Sequence, residues 1–215
     1  MCAIIGSFDF QKFIELLELN SYRGSFSHSV TTVDTLSMKT QTYKNFGPFT
    51  AKPEEIKLSK NYYYIGHSQA PTGGLIKEYG RIHPAENQGL KLWHNGVIKD
   101  KEIQRLRKKL NSGATWDTQL VLEYLYQKKL DFEKVLSDID GAFACVLIKD
   151  LNDFYIFRNQ PSPLYIDENL SISSTFFKNS RFLEHGVVFQ LDFKSKSIKE
   201  VSKFKSLSEP YYIED

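Results

Sequence analysis

Ala142-Phe143-Ala144-Cys145-Val146-Leu147-Ile148 is apolar at every position. A strand of that composition has to be covered on both faces, which demands layers above and below it. Segments 154–157, 164–166, 170–173 and 187–191 follow at short intervals as further strands, with 196–203 as a last edge strand. Before it, apolar spacing predicts a helix over 10–20, broken at Tyr22-Arg23-Gly24, where Gly24 suits a turn. Alternating Thr, Val, Leu and Tyr between 30 and 49 suggest strands with weak boundaries. Tyr62-Tyr63-Tyr64-Ile65-Gly66-His67 is a clearer strand, running into a Gly- and Pro-rich loop at 71–74. Asn95-Gly96, between the apolar runs of 90–98, marks a tight hairpin turn because both residues tolerate positive φ. Asp100 stands where an N-cap belongs, ahead of a helix through Ile103, Leu106 and Leu110. A second helix is predicted over 117–128, capped by Asp117 or Thr115, with Leu120, Val121, Tyr124 and Leu125 as its buried stripe. Strands, two or three helices, then strands again imply an α+β layered domain.

The chain's 215 residues suffice for one well-buried domain, taken here as 1–215 with about 2–205 ordered and a loose acidic tail at Glu214-Asp215. A net charge of +2 without a long basic run gives nucleic acid no support. No segment approaches the roughly 20 apolar residues of a membrane span, and the start lacks a signal-peptide pattern. Two cysteines, one near the start and one in an apolar run, make no disulfide framework, so a reducing cytoplasm is expected. Lysine-rich, arginine-poor usage with abundant Tyr, Phe and Asn fits an AT-rich genome, bacterial or phage.

The chemistry concentrates at Met1-Cys2-Ala3-Ile4-Ile5-Gly6. The small side chain of Cys2 behind an initiator Met lets the Met be trimmed, leaving Cys2 first. One residue then carries a thiol (pKa near ~8.5) and an α-amine (near ~8) able to take its proton. Ile4-Ile5, ending at Gly6, reads as a short buried strand that would hold this terminus in a core. By position alone, Cys2 as an ordinary early residue remains the plainer reading.

Six further elements in order change that balance. They are Tyr22-Arg23-Gly24, Gly66-His67-Ser68-Gln69-Ala70-Pro71-Thr72-Gly73-Gly74, Ile82-His83-Pro84, His94-Asn95-Gly96, Trp116-Asp117-Thr118-Gln119 and Gly141-Ala142-Phe143-Ala144, with Pro163-Leu164-Tyr165 beyond. Together with the Cys2 start, this set resembles the class II glutamine amidotransferase domain, an N-terminal-nucleophile hydrolase, as in the glutaminase domains of glucosamine-6-phosphate synthase and asparagine synthetase. The resemblance runs from residue 2 to about residue 190.

The resemblance implies a four-layer αββα sandwich of two antiparallel sheets between helices. It also implies an amidohydrolase in which Cys2 attacks the side-chain amide of glutamine or a related amide and releases ammonia. The Asn95 side chain and the Gly96 N–H would form the oxyanion hole. Asp117 would bind the substrate α-ammonium, with a plain N-cap role as its alternative, and Arg23, Gln69, Thr72 and Gly74 would complete the pocket. No cofactor is implied. His67, His83 and His94 lack metal-ligand spacing and read as hydrogen-bonding histidines, so no metal is expected. Two departures stand out. The family arginine that clamps the substrate carboxylate falls on Gln69 and the neighbouring aromatic on Ala70; Gln cannot supply a charged bidentate fork. A neutral Gln69 suits a substrate whose carboxylate is masked, unless Lys77 or Arg81 reaches it. The family's ammonia-consuming second domain also has no counterpart in this chain. That implies that ammonia passes to a partner synthase, that it is released, or that some other amide is hydrolysed; the alternative, favoured by the unmatched Gln69, is a non-catalytic relative acting as a binding or regulatory subunit.

Overall fold

The computed structural model describes residues 2–37, 39–49, 56, 58–70, 78–149 and 153–205. In chain order the strands are β1 (Ala3–Ser7), β2 (Ser27–Asp34), β3 (Thr40–Phe46), β4 (Tyr62–Gln69), β5 (Ala85–Asn87), β6 (Leu90–Ile98), β7 (Gly141–Ile148), β8 (Phe154–Arg158), β9 (Tyr165–Ile166), β10 (Ile172–Ser173), β11 (Arg181–Phe182), β12 (Val187–Asp192) and β13 (Ser197–Lys203). The helices are α1 (Phe10–Leu19), α2 (Asp100–Leu110), α3 (Asp117–Gln127) and α4 (Phe132–Leu136). Two antiparallel sheets result, one ordered β11-β9-β10-β1-β4-β2-β3 and the other β13-β12-β8-β7-β6-β5.

Strand alternation builds three apolar layers from these elements. Ala3 and Ile5 of β1 face outward with Val30 and Tyr64, and α1 covers them with Phe13, Leu16 and Leu17. Ile4 points the other way and joins Tyr63, Ile65, Trp93, Ala144, Val146 and Ile156 between the sheets. The opposite face of the second sheet carries Leu92, Phe143, Cys145, Leu147 and Phe157, covered by Leu106, Leu120, Val121, Leu125 and Val135 of α2, α3 and α4. The apolar run of β7 is thus split between two cores, which is why it needs no polar face. The architecture is the expected αββα sandwich.

Asp9 caps α1, its Oδ1 accepting from Gln11 N (2.8 Å) and Lys12 N (3.2 Å), a contribution of about 1 kcal/mol. Three local expectations change. Asn95-Gly96 is not a hairpin turn: β6 runs straight through it, paired residue by residue with β7, Asn95 against Ala144 and Gly96 against Phe143. The reversal lies before it, at Gln88 (φ 48°) and Gly89 (φ 84°), which join β5 to β6. Helix α2 starts at Asp100 with Lys99 as N-cap, and α3 starts at Asp117 with Trp116 as N-cap, so neither aspartate nor Thr115 holds the cap position. Among the described residues no helix is long and apolar enough to cross a membrane.

Candidate active site

The start of β1 and the end of β4 lie side by side, Ala3 opposite Ser68, which carries Cys2 to the level of Gln69 and Ala70. The Cys2 thiol donates to the Ala70 carbonyl (3.4 Å), and the buried Arg23 holds the Cys2 carbonyl through Nε at 2.9 Å. Both contacts use main-chain groups of their partners. Gly24 permits the same crossing: a Cβ there would lie 2.7 Å from the Gln69 carbonyl carbon. Burial pushes the Cys2 thiol up, and the Asp117 carboxylate adds to this while Arg23 opposes it. A thiol in that setting stays protonated at rest, so a nucleophilic role calls for a nearby base.

The facing strand β6 turns Asn95 into the space between the sheets. Its Nδ2 donates to Ser174 Oγ (3.0 Å), and the same hydroxyl accepts the Ile4 N–H (3.0 Å) while Ser174 N donates to Ile4 O (3.0 Å). Ser174 therefore ties Asn95 to the strand that carries Cys2. It was not singled out from the sequence, because its partners lie 79 and 170 residues away in the chain. Gly96 has φ +148° and packs against the Ala142 carbonyl; a Cβ would come within 1.9 Å of that oxygen. Only glycine fits there.

Asp117, the first residue of α3, accepts from Thr118 N (2.8 Å) and, at 3.4 Å, from Ile98 N at the end of β6. The Thr118 hydroxyl is also within donating distance of Asp117 Oδ1, at 3.4 Å, and His94 Nδ1 lies 3.8 Å away. Gln69 is anchored rather than free, its Oε1 accepting from the fully buried Ser27 Oγ at 2.9 Å. Thr72, Gly74 and Lys77 lie outside the described residues. Arg81 is turned to Glu78 (3.0 Å), an exposed i,i+3 pair. The structure thus gathers Cys2, Arg23, Gln69, Asn95, Gly96 and Asp117 around the end of the intersheet core where Ile4 and Trp93 give way to polar groups.

Behind β6 the three histidines come together. His67 Nε2 meets the His94 carbonyl (3.1 Å), and the His67 and His83 rings stack at 3.9 Å and 32°. Thr118 Oγ1 lies 3.1 Å from both His83 Nε2 and His94 Nδ1. Burial pushes His67 down to about 3 and His83 well below the usual histidine range, so both are neutral. Among the described residues no group of His, Cys, Asp and Glu is arranged to hold a metal.

No family model matches the sequence. Among curated proteins, the chain is 23% identical over 186 residues to glutamine–fructose-6-phosphate aminotransferase (isomerizing) of Sulfolobus acidocaldarius, covering 77% of this chain and 31% of that protein. The chain spans about a third of the length of that relative. Among solved structures, the glutamine phosphoribosylpyrophosphate amidotransferase from B. subtilis, complexed with ADP and GMP, superposes with a TM-score of 0.68 at 18% identity, over 94% of this chain and 49% of that one. A glutamine aminotransferase class-II domain protein from Silicibacter pomeroyi matches with a TM-score of 0.52 at 8% identity, over 85% of this chain and all of that one. Sequence relation and shared architecture together identify the chain as a domain with the class II glutamine amidotransferase fold, of the N-terminal-nucleophile type.

Proposed function

We propose that the protein is an amidohydrolase of the class II amidotransferase type, with Cys2 as its nucleophile. The observation that carries this reading is the tie through Ser174: it holds the Asn95 carboxamide against the very strand whose first residue follows the thiol. After Met1 is removed, the α-amine of Cys2 takes the thiol proton, and sulfur attacks the carbonyl carbon of a glutamine-type amide. The oxyanion that forms is met by the second N–H of Asn95 Nδ2 and by the Gly96 N–H. Donors preorganised in this way contribute roughly 3 kcal/mol each to transition-state stabilisation. The amine then passes its proton to nitrogen, ammonia leaves, and water hydrolyses the thioester. Asp117 takes the substrate ammonium, while Arg23 fixes the Cys2 carbonyl and so the aim of the thiol. Thr72 and Gly74 would line the remaining wall. The ammonia passes to a partner synthase or is released, in a reducing cytoplasm.

Gln69 tunes the substrate. Its carboxamide, anchored on Ser27, offers neutral hydrogen bonds where the family pattern has arginine, which suits an amide whose α-carboxylate is masked, as in a peptide or a γ-linked amide. The same feature favours the second reading, a binding or regulatory subunit without turnover. Intact mass and hydrolysis assays on purified protein separate them. The enzyme reading expects loss of Met1 and ammonia release that Cys2→Ala abolishes. Retention of Met1 in cells with normal Met removal would leave Cys2 without a free amine and rule this mechanism out.

A further inference from the structure

We infer that Thr118 is a positioning residue for the Asn95-Gly96 strand, its one hydroxyl proton fixing the direction of a hydrogen-bond chain from His83 through Thr118 and His94 to the Ala142 carbonyl. The Thr118 hydroxyl proton has two acceptors within reach, His94 Nδ1 at 3.1 Å and Asp117 Oδ1 at 3.4 Å, and it goes to the nearer. His94 Nε2 lies 3.2 Å from Ala142 O, which only accepts, so Nε2 carries the hydrogen. We take His94 as the neutral imidazole, in which Nδ1 is then the acceptor and its partner Thr118 Oγ1, 3.1 Å away, donates to it. With its proton committed, Thr118 can only accept from His83 Nε2, also 3.1 Å away. His67 donates from Nε2 to the His94 carbonyl, which cannot donate back. All three rings are therefore Nε2–H tautomers. The two nitrogens this leaves as bare acceptors, His67 Nδ1 and His83 Nδ1, are, with Trp93 Nε1 and Ser29 Oγ, the buried side-chain polar atoms that have no hydrogen-bond partner among the described residues.

The chain ends at the tightest spot in the strand. Ala142 O, which receives the His94 proton, is the atom against which Gly96 packs, and His94 Nε2 lies 2.9 Å from where a Gly96 Cβ would be. His94 is thus clamped on both sides of its ring, by Thr118 and by Ala142, and its main chain continues directly into Asn95. The groups facing His94 are Asp117 and Thr118 from α3, Cys145 opposite it on β7, His67 at its carbonyl, and His83, which shares the Thr118 hydroxyl with it. Thr118 is fully buried and lies on the helix side of β6, whereas Asn95 points to the other face, so Thr118 acts on the oxyanion group through the backbone and not by touching substrate.

The functional half of this inference rests on the oxyanion role of Asn95 and Gly96; the hydrogen-bond chain itself does not. The test uses full-length protein with 15N-labelled histidine. Nitrogen shifts of the wild type should show Nε2–H tautomers for His67, His83 and His94. A proton on Nδ1 of His94 overturns the proposal. Thr118→Val, which keeps shape and removes the hydroxyl, should leave His83 a mixture of tautomers and shift His94 Nδ1 to its unbonded position; Thr118→Ser should restore both. On the same samples, Thr118→Val should lower kcat for amide hydrolysis roughly tenfold, the scale of one lost hydrogen bond, with KM changed less than about twofold. Thr118→Ser should stay within about twofold of wild type. A folded Thr118→Val protein with unchanged kcat refutes the positioning role. If the wild type hydrolyses no amide, the proposed function falls, and the nitrogen shifts alone decide the hydrogen-bond chain.

Discussion

The two halves of the candidate site are built by different means. The nucleophile half, on β1 and β4, is fixed by main-chain contacts: Cys2 Sγ to a carbonyl, Arg23 to a carbonyl, and the antiparallel ladder of Ala3 with Ser68. The oxyanion half, on β6 and α3, depends on side chains that tolerate few substitutes: glycine at 96, a hydroxyl at 118 between two histidines, and a carboxylate at 117 beside the end of the strand. A side-chain network loses function when one member changes, because each buried partner left unpaired costs roughly 1–3 kcal/mol. A scaffold that meets main-chain atoms relies on fewer side chains, here Arg23 and the absence of one at Gly24, apart from the Cys2 thiol itself. Damage should therefore concentrate on the oxyanion side.

The largest effect is expected at Gly96→Ala. The added methyl meets Ala142 O on a backbone of φ +148°, which L side chains rarely adopt, and should cost roughly 3 kcal/mol of stability or more. Gly80→Ala, with nothing within 4 Å of its Cβ, is the control and should be close to neutral. Chemical denaturation of both variants measures the difference. Equal stabilities would erase the asymmetry between strict and tolerant positions.

Asn95→Ala comes next. Ser174 keeps the Ile4 N–H as a partner, so the fold should survive, while turnover should fall roughly a hundredfold, the usual cost of one oxyanion donor. Loss of folding with no separate loss of rate would make Asn95 a strut between the sheets instead.

On the nucleophile side, Gln69→Arg should raise kcat/KM for free glutamine by roughly thirtyfold, while a carboxylate-blocked glutamine gains nothing. Wild type that already prefers free glutamine, with no gain from arginine, would remove the substrate argument.

The smallest effect lies behind the oxyanion half. Asp138 accepts from Lys109 Nζ (2.6 Å), Tyr124 Oη (2.8 Å) and Arg105 Nη2 (3.1 Å), clasping α2 and α3 to the segment after α4. Partial burial pushes its carboxyl up, and these three bonds outweigh that and hold it at about 2 against a usual 3.8. A folded-state value below the unfolded one stabilises the protein above pH ~4, and that stability is lost as pH falls towards ~2. With its side chain a third exposed, solvent screening reduces the contribution to about 1 kcal/mol. Asp138→Asn should lose that amount at pH 7 and nothing near pH 2, by denaturant titration at both.

The sequence made the nucleophile half more legible than its counterpart. Cys2, the apolar pair behind it and the Tyr62–Gln69 strand are local patterns, and each lies where its pattern puts it. Asn95-Gly96 was legible as unusual backbone but not as strand. The dipeptide signals positive φ, and Gly96 has it, yet the cause is a carbonyl pressed in from β7 and not a chain reversal. The real reversal at Gln88-Gly89 lacked the favoured Asn-Gly pair. Ser174 and Thr118 carry no local signal at all. Their weight comes from partners brought in by the sheets and by α3, and a lone serine or threonine in sequence cannot disclose them. The histidines had no metal spacing, and their proximity appeared only once β4, β6 and the segment before β5 were placed together.

The most direct test of the account sets one cysteine against the other. Cys2 is half-buried at the open end of the intersheet core, whereas Cys145 is 1% exposed and burial pushes its thiol well up. Mature protein treated with diazo-oxo-norleucine, a glutamine-like electrophile, is digested and the adduct located by mass spectrometry. The account predicts one adduct per chain, on an N-terminal Cys2, with Cys145 untouched and glutamine-type amides protecting. Labelling at Cys145, or an unreactive Cys2 in protein that has lost Met1, would contradict it.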